Sequence, residues 1–130
     1  MVGESMTKSV KVMVVDDHPE VLKTLKKILE RRGYEVQDFS DPILALEEFQ
    51  KNKPDIILSD LMMPQMDGIE FLTQVKKLSP LLPFIIMTAF ATVDTAAQST
   101  KYGAFDYLRK PFELSKIYDT LDKAIRNPAT

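Results

Sequence analysis

The amino-acid sequence predicts an α/β fold: a five-stranded parallel sheet, doubly wound by five helices into three layers. Two observations carry this prediction. Five short apolar runs alternate strictly with five amphipathic helical patterns, and the connections between them are short. Right-handed crossovers then place helices on both faces of an open sheet.

Val10 to Val15 is a β-branched apolar run ending at Asp16-Asp17, the profile of a buried parallel strand. Pro19 suits the first position of a helix, where its missing N–H is harmless. Val21, Leu22, Leu25, Ile28 and Leu29 recur at helical spacing, and Gly33 supplies the stop. Tyr34 to Phe39 reads as a second strand. Asp41-Pro42 makes a cap and first turn, and Leu46 and Phe49 share one face of the helix that follows.

Pro54 to Asp60 is a third strand, again ending in an aspartate. Gly68 opens a helix carrying Ile69, Leu72, Val75 and Leu78, and Pro83 to Thr88 is the fourth strand. Thr92 caps a helix whose apolar content is thin, namely Val93, Ala96, Ala97 and Tyr102, and Gly103 ends it. Ala104 to Leu108 forms the fifth strand, and Leu114, Ile117, Leu121 and Ile125 stripe the last helix. The expected domain runs from 10 to 126, with a flexible segment over 1–9 and a frayed end over 127–130.

A chain of 130 residues fits one domain with a real core. Hydrophobic residues at 45% against 28% charged ones are the balance of a folded globular protein, not a disordered one. A formal net charge of −2 offers no basic field, which argues against direct binding of nucleic acid or of an anionic membrane. The absence of cysteine removes disulfides, thiolate catalysis and cysteine metal sites, and one histidine, His18, rules out a histidine-rich zinc site. The N-terminus lacks a signal-peptide pattern and no apolar run approaches a bilayer span, so the cytoplasm is the expected compartment.

In an open doubly wound sheet, sites gather at the carboxyl ends of the strands. There stand Asp16 and Asp17 after the first strand, Asp60 after the third, Thr88 after the fourth and Lys110 after the fifth. Three crowded carboxylates repel and need a cation to stay ionised together. Hard oxygen ligands of this kind suit Mg²⁺, which binds through a few carboxylates plus phosphate oxygens. A carboxylate can attack phosphorus in line, while Lys110 and Thr88 offer a charge and a hydroxyl to the phosphoryl oxygens. Ala89 leaves room beside Thr88. The isolated alternatives are plainer: Asp17 as a helix cap, Lys110 as a solvated lysine, Thr88 as a strand threonine. The coincidence of all of them at one rim favours a site.

With Asp16-Asp17, the run Leu58 to Gly68, Met87-Thr88-Ala89 and Lys110-Pro111-Phe112, the chain resembles the receiver domains of two-component response regulators (CheY-like) from about Val10 to Ile125. The stretches Ala91 to Ala96 and Gly103 to Leu108 look most like receivers of nitrogen-regulation-type transcriptional activators, and hybrid sensor kinases carry similar segments. The resemblance implies the flavodoxin-like strand order 2-1-3-4-5, with Asp60 as phosphoacceptor. It further implies Mg²⁺ held by Asp17, Asp60 and the Met62 backbone carbonyl, with Asp16 acting largely through water. A cis peptide before Pro111 is also expected. The phosphodonor would be a sensor histidine kinase. A Thr88–Tyr107 switch would alter the face made by the fourth helix, fifth strand and fifth helix, which would meet an output domain or a second copy. The domain would assist its own phosphorylation and dephosphorylation without being a multiple-turnover enzyme, and would be either a stand-alone receiver or part of a longer regulator.

His18 reads as a loop residue near the pocket rim, not a catalytic group. Met62, Met63 and Met66 read mostly as loop packing, with Met62 and Phe90 as candidate shields of a phosphoryl group. One rival is an aspartyl-phosphate phosphohydrolase, which needs an aspartate two residues after the nucleophile where this chain has Met62. Another is a phosphorylation-independent interaction module on the same fold, which would lack the acceptor or the lysine. A flavin or nucleotide carrier would want a glycine- or Ser/Thr-rich loop in place of Asp16-Asp17-His18-Pro19.

Overall fold

The computed structural model describes residues 9–126, so the predictions for 1–8 and 127–130 lie outside the described residues. The elements in chain order are β1 (Lys11–Val15), α1 (Pro19–Arg31), β2 (Glu35–Phe39), α2 (Pro42–Lys51), β3 (Ile56–Asp60), α3 (Gly68–Leu78), β4 (Phe84–Thr88), α4 (Val93–Lys101), β5 (Asp106–Arg109) and α5 (Leu114–Arg126). All strands pair in parallel in the order β2-β1-β3-β4-β5, as expected.

Strand periodicity splits the core into two layers. Val12, Val14, Ile56, Leu58, Ile85, Met87 and Leu108 face α1 and α5 through Leu22, Leu25, Leu29, Ile117 and Leu121. Met13, Val15, Ile57, Phe84 and Ile86 face α2 and α3 through Ala45, Phe49, Phe71, Leu72 and Val75. The central strands β3 and β4 are buried along their whole length, which is why they read as continuous apolar runs.

The element ends depart from expectation for local reasons. Strand β5 begins at Asp106 instead of Ala104, because the Gly103 and Ala104 amides donate to Thr100 O and Ser99 O and so finish α4. Gly103 takes φ 100° there and Gly33 takes φ 86° after α1, a region other residues avoid. Strand β3 begins at Ile56, since Pro54 has no amide to donate and the Asp55 carboxylate is engaged by Lys11 N. Leu78 and Leu114, expected on apolar stripes, are about half exposed, whereas Phe71 is fully buried and meets Phe84 edge to face.

Helix α4 has a distinct construction. Among the described residues Ser99 is its one buried residue, and Val93 and Tyr102 stand in solvent. Its N-terminus is instead held by a reciprocal cap, in which Thr92 N donates to Thr95 Oγ1 and Thr95 N to Thr92 Oγ1. Among the described residues no helix is long and apolar enough to cross a membrane.

Candidate functional site

Sheet register brings the candidate residues together. Val15 lies opposite Ser59, so the next residues, Asp16 and Asp60, emerge from neighbouring strand tips. Asp60 lies opposite Met87, which puts Thr88 one step beyond it, and Thr88 lies opposite Arg109, one residue before Lys110. One ligand atom from each of Asp16, Asp17, His18 and Asp60 fits within a mutual 4.8 Å. The acidic pair of β1 and the acid of β3 therefore share one pocket.

Asp16 is fully buried. Its Oδ2 accepts from Lys110 Nζ at 2.6 Å, and its Oδ1 accepts from the His18 backbone amide at 2.9 Å. Lys110 Nζ also stands 3.5 Å from Asp60 Oδ1, so one ammonium spans two carboxylates from separate strands. Asp60 Oδ1 accepts from the Leu61 amide at 2.9 Å. Burial, then the Asp16 charge, push the Asp60 carboxyl above its ordinary range, while Lys110 and the Leu61 amide pull the other way. The peptide bond before Pro111 is cis.

The β3–α3 connection presses closely on the acceptor. Gly68 opens α3 against the backbone of β3, where an added Cβ would overlap the Asp60 carbonyl oxygen and lie 2.8 Å from Leu61 Cα. Asp67 caps the same helix by accepting from Glu70 N. Within this connection Met63 is buried in the core layer shared with α2 and α3 and Met66 packs against that layer, while Met62 is exposed, as is Phe90 beyond β4. Thr88 is fully buried and its Oγ1 accepts from the Phe90 amide at 2.9 Å. Tyr107 is half-buried, with its hydroxyl bonded to Thr95 Oγ1 on α4.

The donor set fits a divalent cation. Asp17 Oδ1 is shielded from water and accepts no hydrogen bond among the described residues. It lies 3.3 Å from His18 Nδ1, but that ring nitrogen, 3.0 Å from Asp16 Oδ1, is hydrogen-bonded there. A shielded carboxylate oxygen without a donor, beside two further carboxylates, is what a cation would satisfy.

Two participants were not legible as such. His18, expected at the rim, stands at the N-terminal boundary of α1 without a side-chain capping bond and turns its ring onto both Asp16 and Asp17; the Asp16 hydrogen bond, then the Asp17 charge, raise its pKa. Thr95 is tied to Tyr107, and the Thr-x-x-Thr spacing of a cap was the available sign.

A family profile described as the response regulator receiver domain matches residues 12–122. The chain belongs to that family. The receiver is 40% identical over 116 residues to the transcriptional regulatory protein ZraR of Klebsiella oxytoca, covering 89% of this chain and 26% of the relative. It is 40% identical over 114 residues to the DNA-binding transcriptional regulator NtrC of Escherichia coli strain K12, covering 88% and 24%. The receiver thus spans about a quarter of the length of these curated relatives. Among solved structures, a receiver domain protein from Clostridium thermocellum superposes with a TM-score of 0.86 at 33% identity, over 91% of this chain and 95% of that one. The chemotaxis protein CheY4 of Vibrio cholerae gives 0.85 at 31%, over 89% and 98%. Receivers of this family are phosphorylation-activated switches of two-component signalling, with an acidic pocket that binds Mg²⁺.

Proposed function

We propose that Asp60 is the phosphoacceptor of this receiver and that a sensor histidine kinase supplies the phosphoryl group. The observation that carries the reading is the convergence of Asp16, Asp17 and Asp60 from two strand tips, with Lys110 Nζ bridging Asp16 and Asp60. An Asp60 carboxylate oxygen forms the new bond to phosphorus as the bond to the donor imidazole breaks, its electron pair leaving with that nitrogen. Asp16, Asp17, Asp60 and the Met62 carbonyl would hold Mg²⁺, which supplies positive charge against the phosphoryl oxygens during transfer. Lys110, whose Nζ lies 3.5 Å from Asp60 Oδ1, neutralises the same charge. Burial of Asp60 keeps bulk water from competing for its oxygens.

The receiver works as a switch and not as a multiple-turnover enzyme. The position two residues after Asp60 is Met62, which offers no general acid for a phosphohydrolase. Thr88 exchanges its bond to the Phe90 amide for one to the phosphoryl group, and Tyr107 leaves Thr95 and turns inward. The face of α4, β5 and α5 then changes for an output domain or a second copy. Moving such an equilibrium from mostly off to mostly on takes about 3–6 kcal/mol of differential stabilisation. Two or three charge-assisted hydrogen bonds from Thr88 and Lys110 are of that order. Incubation with acetyl phosphate and Mg²⁺ should add the mass of one phosphoryl group to the wild type and none to Asp60→Asn. Labelling of Asp60→Asn to the same extent would reject the assignment.

A further inference from the structure

Ser59 puts a hydroxyl into a strand that is otherwise apolar up to the acceptor, and the mechanism above leaves it unused. Its side chain is fully buried, opposite Val15 and Ile86, on the side of the sheet that faces α2 and α3. A hydroxyl there costs stability unless it is hydrogen-bonded. Ser59 Oγ donates to the carbonyl oxygen of Asp60 at 3.0 Å. That carbonyl shares a peptide plane with the Leu61 N–H, which donates both to Met87 O and to Asp60 Oδ1, each at 2.9 Å. Gly68 closes against the same plane, and its amide donates to Leu61 O at 2.8 Å. One planar unit therefore meets the Ser59 hydroxyl at its oxygen end and the acceptor carboxylate at its nitrogen end.

The stiffness of the peptide sets the consequence. A tilt that broke the Ser59 bond would also swing the Leu61 N–H away from Asp60 Oδ1. With that bond made, Oδ1 is turned towards Leu61 and Lys110, while Oδ2 takes no hydrogen bond among the described residues. We propose that Ser59 is a positioning residue for phosphoryl transfer: through the Asp60–Leu61 peptide it sets the rotation of the acceptor carboxylate, so that Oδ2 is the oxygen that attacks phosphorus. The proposal rests on the reading of Asp60 as phosphoacceptor, and Ser59 acts through Asp60 alone.

The test compares wild type with Ser59→Ala, which removes the hydroxyl and leaves every pocket side chain in place, and with Ser59→Thr, which supplies it again. Labelling by acetyl phosphate at saturating Mg²⁺ is followed by intact mass over a range of donor concentrations. The Asp60 oxygen bonds to phosphorus as the P–O bond of the donor breaks, its electron pair leaving with acetate. In Ser59→Ala the maximal labelling rate should fall about tenfold, within the hundredfold that a misplacement of about 1 Å can cost. The half-saturating donor concentration should hold, because Lys110, Thr88 and the metal meet the phosphoryl oxygens and Ser59 does not. The Leu61 amide proton resonance should move upfield in Ser59→Ala and return in Ser59→Thr, and the rate should follow it across the three proteins. An unchanged rate in Ser59→Ala overturns the proposal, as does a rate that departs from the Leu61 resonance. A raised half-saturating concentration at full maximal rate also overturns it, since the hydroxyl would then only shape donor binding. Asp60→Asn keeps the two readings apart: a wild type labelled at Asp60 beside an unaffected Ser59→Ala removes the positioning role alone, whereas equal labelling of Asp60→Asn removes the acceptor.

Discussion

Replacing Lys110 with methionine probes the pocket most directly, because the side chain is nearly buried and its partner entirely so. Lys110→Met keeps most of the aliphatic stem but leaves the Asp16 Oδ2 carboxylate oxygen without its ammonium at 2.6 Å. Removing one partner of a buried pair costs about 3–5 kcal/mol. Asp16 Oδ1 keeps its His18 bonds, so the lower end applies, about 3 kcal/mol. For a domain of this size that is a fall in Tm of roughly 10 °C. Urea unfolding with an unchanged m-value would measure it. The mutant pocket has one more uncompensated negative charge, so Mg²⁺ should bind it more tightly and raise its Tm more than that of the wild type. Saturation at 100 times Kd contributes about 2.7 kcal/mol, most of the loss. Stability within about 1 kcal/mol of wild type, or equal Mg²⁺ shifts in both proteins, would refute a buried Lys110–Asp16 ion pair that offsets the pocket's negative charge.

Three further outcomes are expected. The Asp60 carboxyl is held above its ordinary value, by burial first and Asp16 second, so its contribution to stability is present below pH 3.8 and lost as pH rises through the folded-state value. Asp60→Asn should therefore be more stable than wild type at pH 7 without metal, with the gap closing towards pH 3.8 and on adding Mg²⁺; a wild type equally stable at pH 7 contradicts this. Gly68→Ala forces a Cβ into the Asp60–Leu61 backbone and should cost about 1–3 kcal/mol in chemical unfolding, with slower acetyl phosphate labelling; a neutral variant denies the close approach. Thr95→Val removes both the Tyr107 partner and a cap, so α4 amides should exchange hydrogen faster while β3 and β4 stay protected, and unchanged α4 exchange would contradict the hydrogen-bonded account.

The sheet and its acidic rim were legible because parallel strands buried on both faces must be apolar, and their last residues break that pattern visibly. Asp60 after Leu58-Ser59 and Asp16-Asp17 after Val14-Val15 stand out for that reason. The ends of the helical stripes were less so. Helical periodicity marks which residues share a face but not where the sheet beneath stops, so Leu78 and Leu114 were assigned to faces that reach solvent. His18 does stand at the pocket rim, but sequence does not report side-chain rotation, so the turn of its ring back to Asp16 was not legible. Gly68 was legible as a helix opening, but its close approach to Asp60 depends on how α3 docks.

The polar build of α4 has a thermal consequence. An element seated by Thr92, Thr95, Ser99 and Tyr107 hydroxyls, with Val93 already in water, can shift while uncovering little hydrocarbon. Heat-capacity change follows the apolar area exposed, so such a rearrangement carries almost none, unlike unfolding of the sheet. Under the proposed switch, the balance between two arrangements of α4 would follow a nearly straight van't Hoff line, and its set point would drift only gently between a cold environment and a warm one.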